Sequence, residues 1–444
     1  MSSERKTLLV LTYYFPPAGG PGVQRVLKHV KYLPEFGWDP VVITVDGGDF
    51  PARDASLADE IPNDVPVFRV PALEPYSLYR KFTGKSEDEH IPVGTLAKED
   101  ANTGLTERVA RWIRANLFVP DARIGWIWPV IRRASNVIPR YKVDAILCSS
   151  PPHSVHLAAY RLARKFNLPW IADLRDPWTD IYYYQELNRS RLTRSLDRYL
   201  ERKVFKSPDG VLTVSPSLVD QIQSRAANQK VTLLPNGYDA GDFDRSVSHS
   251  YERFTLSYIG NLKANQNPPA LWKAIGKLIE QIPGFADDFQ LYLTGKTHPQ
   301  VETLLEKYGL ADYVKIDGYV PHHEATRRMQ SAGALLFIVP DAEDNEGILT
   351  GKLFEYLAAG RPIFSIGPPD GDAARILKDA EAGSMLNYSD ETNFVESLGK
   401  LYRHWKNQDM ETFLPNLHEV QRFERSEQSR ILSVLLEEAL NRAN

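Results

Sequence analysis

The feature that most restricts what this 444-residue chain can fold into is an alternation: short apolar runs are each followed by a stretch with helical spacing, and the series begins twice. An uninterrupted apolar run of strand length suits a strand buried on both faces, which arises when helices cover a parallel sheet. The first series has such runs at residues 7–12, 41–45, 145–148, 170–174, 211–214 and 231–234. Between its first two runs, Val23, Val26, Leu27, Val30 and Leu33 keep helical spacing until Pro34. The second series has runs at 254–259, 290–294, 314–316, 334–339 and 362–366. Between the series stands P-N-G-Y-D-A-G-D-F-D, residues 235–244, whose Pro, Gly, Asn and Asp suit a hinge. The prediction is an α/β chain of two Rossmann-like, doubly wound domains, 1–237 and 238–415, followed by a C-terminal helix within 416–444 that packs on either domain, with a return to the first as one arrangement. Ligands in such sheets bind beyond the carboxyl ends of the strands, so two of them joined by a hinge are expected to face a common cleft.

Composition narrows the function. With 43% hydrophobic and 25% charged residues and a net charge of -4, the chain is not disordered, and it has no overall attraction for nucleic acid. Its single cysteine, Cys148, lies in the run V-D-A-I-L-C, which excludes disulfides and cysteine metal sites and predicts a buried strand residue. The opening M-S-S-E-R-K-T-L-L-V-L-T has too short an apolar run for a signal peptide, and no stretch approaches the ~20 apolar residues of a membrane span. A cytoplasmic location is expected, with peripheral contact at the inner face of the plasma membrane left open.

T-G-K-L-F-E-Y-L-A-A-G-R-P, residues 350–362, reads as a helix built to face an anion. Thr350 is placed to cap it, Gly351 and Lys352 open it with free amides, and Gly360 and Pro362 stop it. Lys352 and Glu355 share one face while Leu353, Leu357 and Ala358 supply the apolar one. A second such place follows the first strand, in Y-Y-F-P-P-A-G-G-P-G-V-Q-R, where Gly19, Gly20 and Gly22 let a ligand approach the backbone. A dinucleotide loop has tighter glycine spacing, although Asp46 after the second strand keeps a dehydrogenase reading open.

Three other segments reach the expected cleft or surface. In S-S-P-P-H-S-V-H, His153 falls at a strand's carboxyl end, while His156 either faces the cleft or packs on the sheet. In R-D-P-W, Arg175 suits an acceptor hydroxyl or phosphate and Asp176 suits orienting it; the alternative is an ion pair between the two, with Trp178 in the core. Residues 108–133, bounded by Arg108 and Arg133, interleave cations and aromatics, which suits an anionic membrane or a lipid-linked acceptor, or else a core stripe with a basic edge. Two D-x-D triplets, Asp242 with Asp244 and Asp370 with Asp372, read as turns rather than metal ligands, and no metal is expected.

In their order and spacing, F-P-P-A-G-G-P-G-V-Q-R, S-S-P-P-H-S-V-H-L, W-I-A-D-L-R-D-P-W-T, L-P-N-G-Y-D, Y-I-G-N-L with its N-P turn, and G-K-L-F-E-Y-L-A-A-G-R-P resemble the retaining glycosyltransferases of the GT-B fold. The resemblance is to the large bacterial family-four type that includes sucrose-phosphate and mannosyl transferases, and it covers nearly the whole chain. It implies transfer of a hexose-like sugar from a nucleotide-sugar co-substrate to a glycan or lipid-linked acceptor, with retention and without metal or further cofactor, in cell-surface polysaccharide or glycolipid synthesis. Glu355 would hold the ribose. Lys352 and the amides of Thr350 and Gly351 would neutralise the diphosphate, with Gly19 and Gly20 closing over it. His153, Arg175 and Asp176 would serve the acceptor, Asp176 being counted with Lys352 and Glu355 as a catalytic candidate. The chain departs from the pattern twice. Gly347 stands where a sugar-contacting Glu is usual, with Glu343 and Glu346 nearby, and Gln266 stands where a cation grips the diphosphate, with Lys263 nearby. A nucleotide-sugar epimerase and an inactive scaffold remain as alternatives.

Overall fold

The computed structural model describes residues 5–48, 50, 53–72, 112, 113, 115–181, 184, 187–243 and 251–443. The chain divides into two compact units, Met1–Leu234 with Gln428–Asn444, and Pro235–Glu427.

In the first unit the strands are β1 (Lys6–Thr12), β2 (Trp38–Asp46), β3 (Val67–Pro71), β4 (Ala145–Ser150), β5 (Trp170–Leu174), β6 (Gly210–Thr213) and β7 (Val231–Leu233). They pair in parallel in the order β3-β2-β1-β4-β5-β6-β7. The helices used below are α1 (Pro21–Tyr32), α2 (Ile127–Tyr141), α3 (Val155–Phe166), α4 (Arg191–Lys206) and α5 (Pro216–Arg225). Every residue of β4 and β5 is buried, as expected of strands covered on both faces, and Cys148 lies among them as a free thiol.

The second unit repeats the plan. Strands β8 (Phe254–Ile259), β9 (Phe289–Thr294), β10 (Val314–Asp317), β11 (Ala334–Ile338), β12 (Ile363–Ile366) and β13 (Met385–Leu386) form a parallel sheet in the order β10-β9-β8-β11-β12-β13. Its helices include α6 (Pro269–Gln281), α7 (Pro299–Lys307), α8 (His322–Ser331), α9 (Gly351–Ala358), α10 (Asp372–Asp379) and α11 (Glu391–Lys406). In both sheets the winding reverses beside the first strand, between β1 and β4 and between β8 and β11. Those are the switch points at whose carboxyl ends a crevice opens.

The last helix, α12 (Arg425–Ala443), places Leu432, Leu436 and Ala439 in the first unit's core. The residues before it do not follow. Val420 and Phe423 lie in the core of the second unit, Phe423 with its ring centroid 4.9 Å from that of Phe354 on α9. The compact units therefore divide at residues 234 and 427, whereas the sequence placed the limits at 237 and 415.

Candidate active site

In the second unit, the switch point is built around Lys352 and Tyr258. Strand β8 is followed by Gly260 at φ +123°, a conformation that side chains rarely adopt, and a Cβ there would collide with the stem and ammonium of Lys352. The open space lets Lys352 lie across the strand's end. Its Nζ stands 4.2 Å from the Tyr258 ring centroid and donates to the Tyr258 hydroxyl at 2.6 Å, while that hydroxyl donates to the Asn261 carbonyl at 3.0 Å. Burial lowers the Lys352 pKa to about 8; Glu355 opposes the shift and Lys263 adds to it. Burial also raises the Tyr258 phenol far above its ordinary value, so it stays neutral.

Helix α9 is held there by its apolar face. Leu353, Phe354, Tyr356 and Leu357 are buried, and the Tyr356 hydroxyl accepts the Ile259 N–H at 2.9 Å. Glu355 lies half-buried on another face and accepts no side-chain hydrogen bond among the described residues. Burial raises its carboxyl above the ordinary value, with Asp242 adding, while His322, Arg425 and Lys352 pull it down. His322 Nε2 lies 3.1 Å from Asp242 Oδ2. Thr350 takes the capping position, but the expected side-chain cap is not made. Leu353 N–H bonds to the Thr350 carbonyl at 3.2 Å, and the threonine hydroxyl is buried without a partner among the described residues.

The structure separates Lys263 from Gln266. Lys263 is exposed and near enough to Lys352 to affect its charge, whereas Gln266 is buried and donates to the Ile338 carbonyl at 2.8 Å, joining the loop after β8 to the end of β11. Gly347 ends a short turn, Asn345–Gly347, and Glu343 and Glu346 are exposed beside it. Asp242 also ends a turn, capped by Asp239, whose carboxylate accepts the Gly241 N–H at 3.0 Å; Asp244 lies outside the described residues. Asp372 is buried near Arg375 at 3.6 Å.

The first unit's switch point is held by a buried ion pair. Arg25 of α1 donates from Nε and Nη2 to Asp173 at 3.0 and 2.9 Å, and the Ser149 hydroxyl donates to the same carboxylate at 2.7 Å. Burial pushes the Asp173 carboxyl up, but Arg25, Arg175 and Ser149 outweigh it and hold it at about 2. Thus α1 is anchored behind the glycine loop, with Gly20 at φ +104° preceding it and the half-buried Gly19 before that. Gly22 has a different use: a Cβ there would strike the guanidinium of Arg175, which donates to the Gly22 carbonyl at 2.7 Å and to the Ser150 carbonyl at 2.6 Å.

Arg175 Nη2 and His153 Nδ1 are buried and have no partner among the described residues. The His153 ring stacks on Trp178, with centroids 4.7 Å apart and planes at 13°, and its Nε2 lies 3.3 Å from the Pro177 carbonyl. A carbonyl only accepts, so Nε2 carries the proton and Nδ1 presents a lone pair. Burial, with Arg175 adding, lowers the His153 pKa to about 4, so the ring is neutral near pH 7. His156 is fully buried with neither ring nitrogen paired among the described residues, and burial with His153 lowers it to about 3; it belongs to the packing of α3. Burial raises the carboxyl of half-buried Asp176 against the pull of Arg175. Arg175 and Asp176 form no ion pair among the described residues, and Trp178 is core, donating to Asp197 at 2.8 Å.

The sequence reading did not assign Tyr258, Arg25 or His322. Tyr258 stands inside the quoted motif Y-I-G-N, two residues before the glycine, where its position could have signalled a partner for the lysine. Arg25 and His322 acquire their partners only through folding and carry no such local signal.

Residues 19–237 match the glycosyl transferase 4-like domain, and residues 253–404 match the glycosyl transferases group 1 domain. The putative colanic acid biosynthesis glycosyltransferase WcaL of Escherichia coli is 24% identical over 169 residues, which is 37% of this chain and 41% of that relative. The chain thus aligns with about two fifths of the length of the curated relatives it matches. Among solved structures, sucrose-phosphate synthase from Thermosynechococcus elongatus shares the fold with a TM-score of 0.63 at 15% identity, over 99% of this chain and 100% of that one. HepE of Anabaena, solved with UDP, has a TM-score of 0.63 at 12% identity, over 98% and 100%. The two Rossmann-like sheets are those of the GT-B glycosyltransferases.

Proposed function

This chain carries a glycosyl transferase 4-like domain followed by a group 1 glycosyl transferase domain, and on that premise we propose that it transfers a hexose-like sugar from a nucleotide-sugar to a glycan or lipid-linked acceptor, with retention. The observation that carries the reading is the pairing of a cation and a carboxylate on one helix at the β8 switch point: Lys352 held by Tyr258, and Glu355 one turn on without a hydrogen-bond partner among the described residues. Lys352 and the first amides of α9 meet the charge that grows on the diphosphate as its bond to the sugar breaks. Glu355 takes the ribose hydroxyls.

The acceptor is assigned to the first unit. His153 Nδ1 accepts a hydrogen bond from its hydroxyl, and Arg175 Nη2 donates to one of its oxygens. The acceptor oxygen bonds to the anomeric carbon on the face the diphosphate leaves, the leaving group departs with the bonding electron pair, and the acceptor's proton passes to a departing phosphate oxygen. A His153 pKa of about 4 suits holding a hydroxyl better than removing its proton. Lys352, the amides and Lys263 supply positive charge at the leaving group, so the reading calls for no metal. The putative colanic acid relative supports a place in cell-surface polysaccharide synthesis.

The test is a panel of nucleotide-sugars screened by thermal shift, then incubated with and without short glycan acceptors. A donor that stabilises the protein and releases nucleoside diphosphate only with acceptor supports the proposal. Turnover of the donor alone into an epimer would replace it with an epimerase. Failure of every donor to bind the folded protein would leave a scaffold.

A further inference from the structure

We propose that the outer face formed by α2, α3 and α4 docks onto an anionic lipid surface. Side-chain contacts make these helices neighbours: the Arg161 guanidinium lies 5.9 Å from the Trp128 ring centroid, Lys165 donates to Ser135 at 3.0 Å, and Lys203 Nζ stands 4.4 Å from the Tyr160 ring centroid. The protein's net charge is -4, yet α2 and α3 contain three Lys or Arg each and no carboxylate, and α4 contains six. The only acids of α4, Asp197 and Glu201, are buried and already paired, Asp197 with Arg189 and Glu201 with Arg225. No carboxylate of the three helices therefore reaches solvent to offset the cations.

Charge alone would suit any polyanion; the apolar flank selects lipid. Along α4, Thr193, Asp197, Glu201 and Val204 turn inward, while Leu192, Leu196 and Tyr199 form a stripe at helical spacing that is 81%, 47% and 60% exposed. Trp128 on α2 is 71% exposed, whereas Trp126, two residues earlier, is fully buried and donates to the Val70 carbonyl. Within residues 108–133 the described large apolar side chains that are exposed are Trp112, Ile113, Leu117 and Trp128; of these Trp128 lies on this face, with Arg132 and Arg133 of the same helix, and α4 adds the longer apolar stripe, while residues 108–111 and Arg114 lie outside the described residues. Leu, Tyr and Trp side chains among cations match the boundary between headgroups and acyl chains, with the arginines at phosphate level. No helix among the described residues is long and apolar enough to cross a membrane, so the contact is peripheral.

The test is flotation of the purified full chain with vesicles of phosphatidylcholine alone or mixed with phosphatidylglycerol, at low and high salt, with heparin binding measured in parallel. Binding to the mixed vesicles only, weakened by salt, is expected. Arg191→Gln/Arg198→Gln/Arg202→Gln should lower that binding roughly a hundred-fold, and Leu192→Ser/Leu196→Ser/Tyr199→Ser should lower it while leaving heparin binding intact. Circular dichroism and nucleoside diphosphate binding should be unchanged in both variants, which separates this proposal from the transferase reading. No flotation of the wild type with anionic vesicles, equal flotation with both vesicle types, or an apolar variant that binds vesicles like wild type would overturn it. The last result would mark a polyanion surface instead.

Discussion

Replacing Tyr258 by Phe removes a single oxygen from the account of Lys352 and keeps the ring beneath it. In the wild type the ammonium donates to that oxygen at 2.6 Å and titrates at about 8, well below a free lysine. A hydrogen bond to a charged group contributes ~1.5–3 kcal/mol, and one pKa unit corresponds to ~1.4 kcal/mol. The variant should therefore lower the lysine's pKa further, by about one to two units. A diphosphate binds the protonated lysine, so its affinity should be level below the lysine's pKa and fall roughly ten-fold per pH unit above it. Titration calorimetry of a nucleoside diphosphate across the neutral and alkaline range reads the break directly. It should lie near pH 8 in the wild type and move toward acid in Tyr258→Phe. A break at the same pH in both proteins would refute the view that Tyr258 supports the charge, and no break at all would remove Lys352 from the diphosphate site.

Gly260→Ala should displace Lys352 and strain the backbone by ~1–2 kcal/mol, lowering both Tm and nucleoside diphosphate affinity; unchanged affinity would contradict the packing of lysine on glycine. Asp173→Ala removes the carboxylate paired with Arg25 in the core, a loss of ~3–5 kcal/mol, to be seen as an earlier midpoint in urea unfolding; a midpoint equal to wild type would contradict a structural role for the pair. His156 has a folded pKa near 3 against about 6.5 when unfolded, so the unfolded chain binds the proton first and stability is lost as pH falls from the upper value toward the lower. His156→Phe should flatten that part of the stability profile, and an unchanged acid limb would show that other groups govern it.

Much of the fold was legible because its signals are local. Strands β1, β4, β5 and β11 hold dense apolar runs, as a strand covered on both faces does, whereas β8, F-T-L-S-Y-I, alternates although every residue of it is buried. Strand β3 was not legible: V-F-R-V-P carries an exposed arginine and ends in proline, so it reads as loop until its pairing with β2 is seen. Strand β13, two residues long, offers no pattern at all. The site divides in the same way. Helix α9, with its glycine and proline stop and the Lys352 and Glu355 face, could be read from residues 350–362. The support beneath it could not, because Tyr258 is 94 residues from Lys352 in sequence and the His322–Asp242 contact spans 80. Gln266 was placed near the diphosphate by its position in the chain, and only the fold shows that its buried amide donates to the Ile338 carbonyl.

The most direct test of the central claim compares a nucleoside diphosphate with its monophosphate, and a ribonucleotide with its deoxy form, in wild type, Lys352→Ala and Glu355→Ala. If Lys352 meets the diphosphate and Glu355 the ribose, calorimetry should show the preference for diphosphate collapsing only in Lys352→Ala and the preference for ribose collapsing only in Glu355→Ala. Both preferences surviving in both variants would contradict the assignment of the donor to α9.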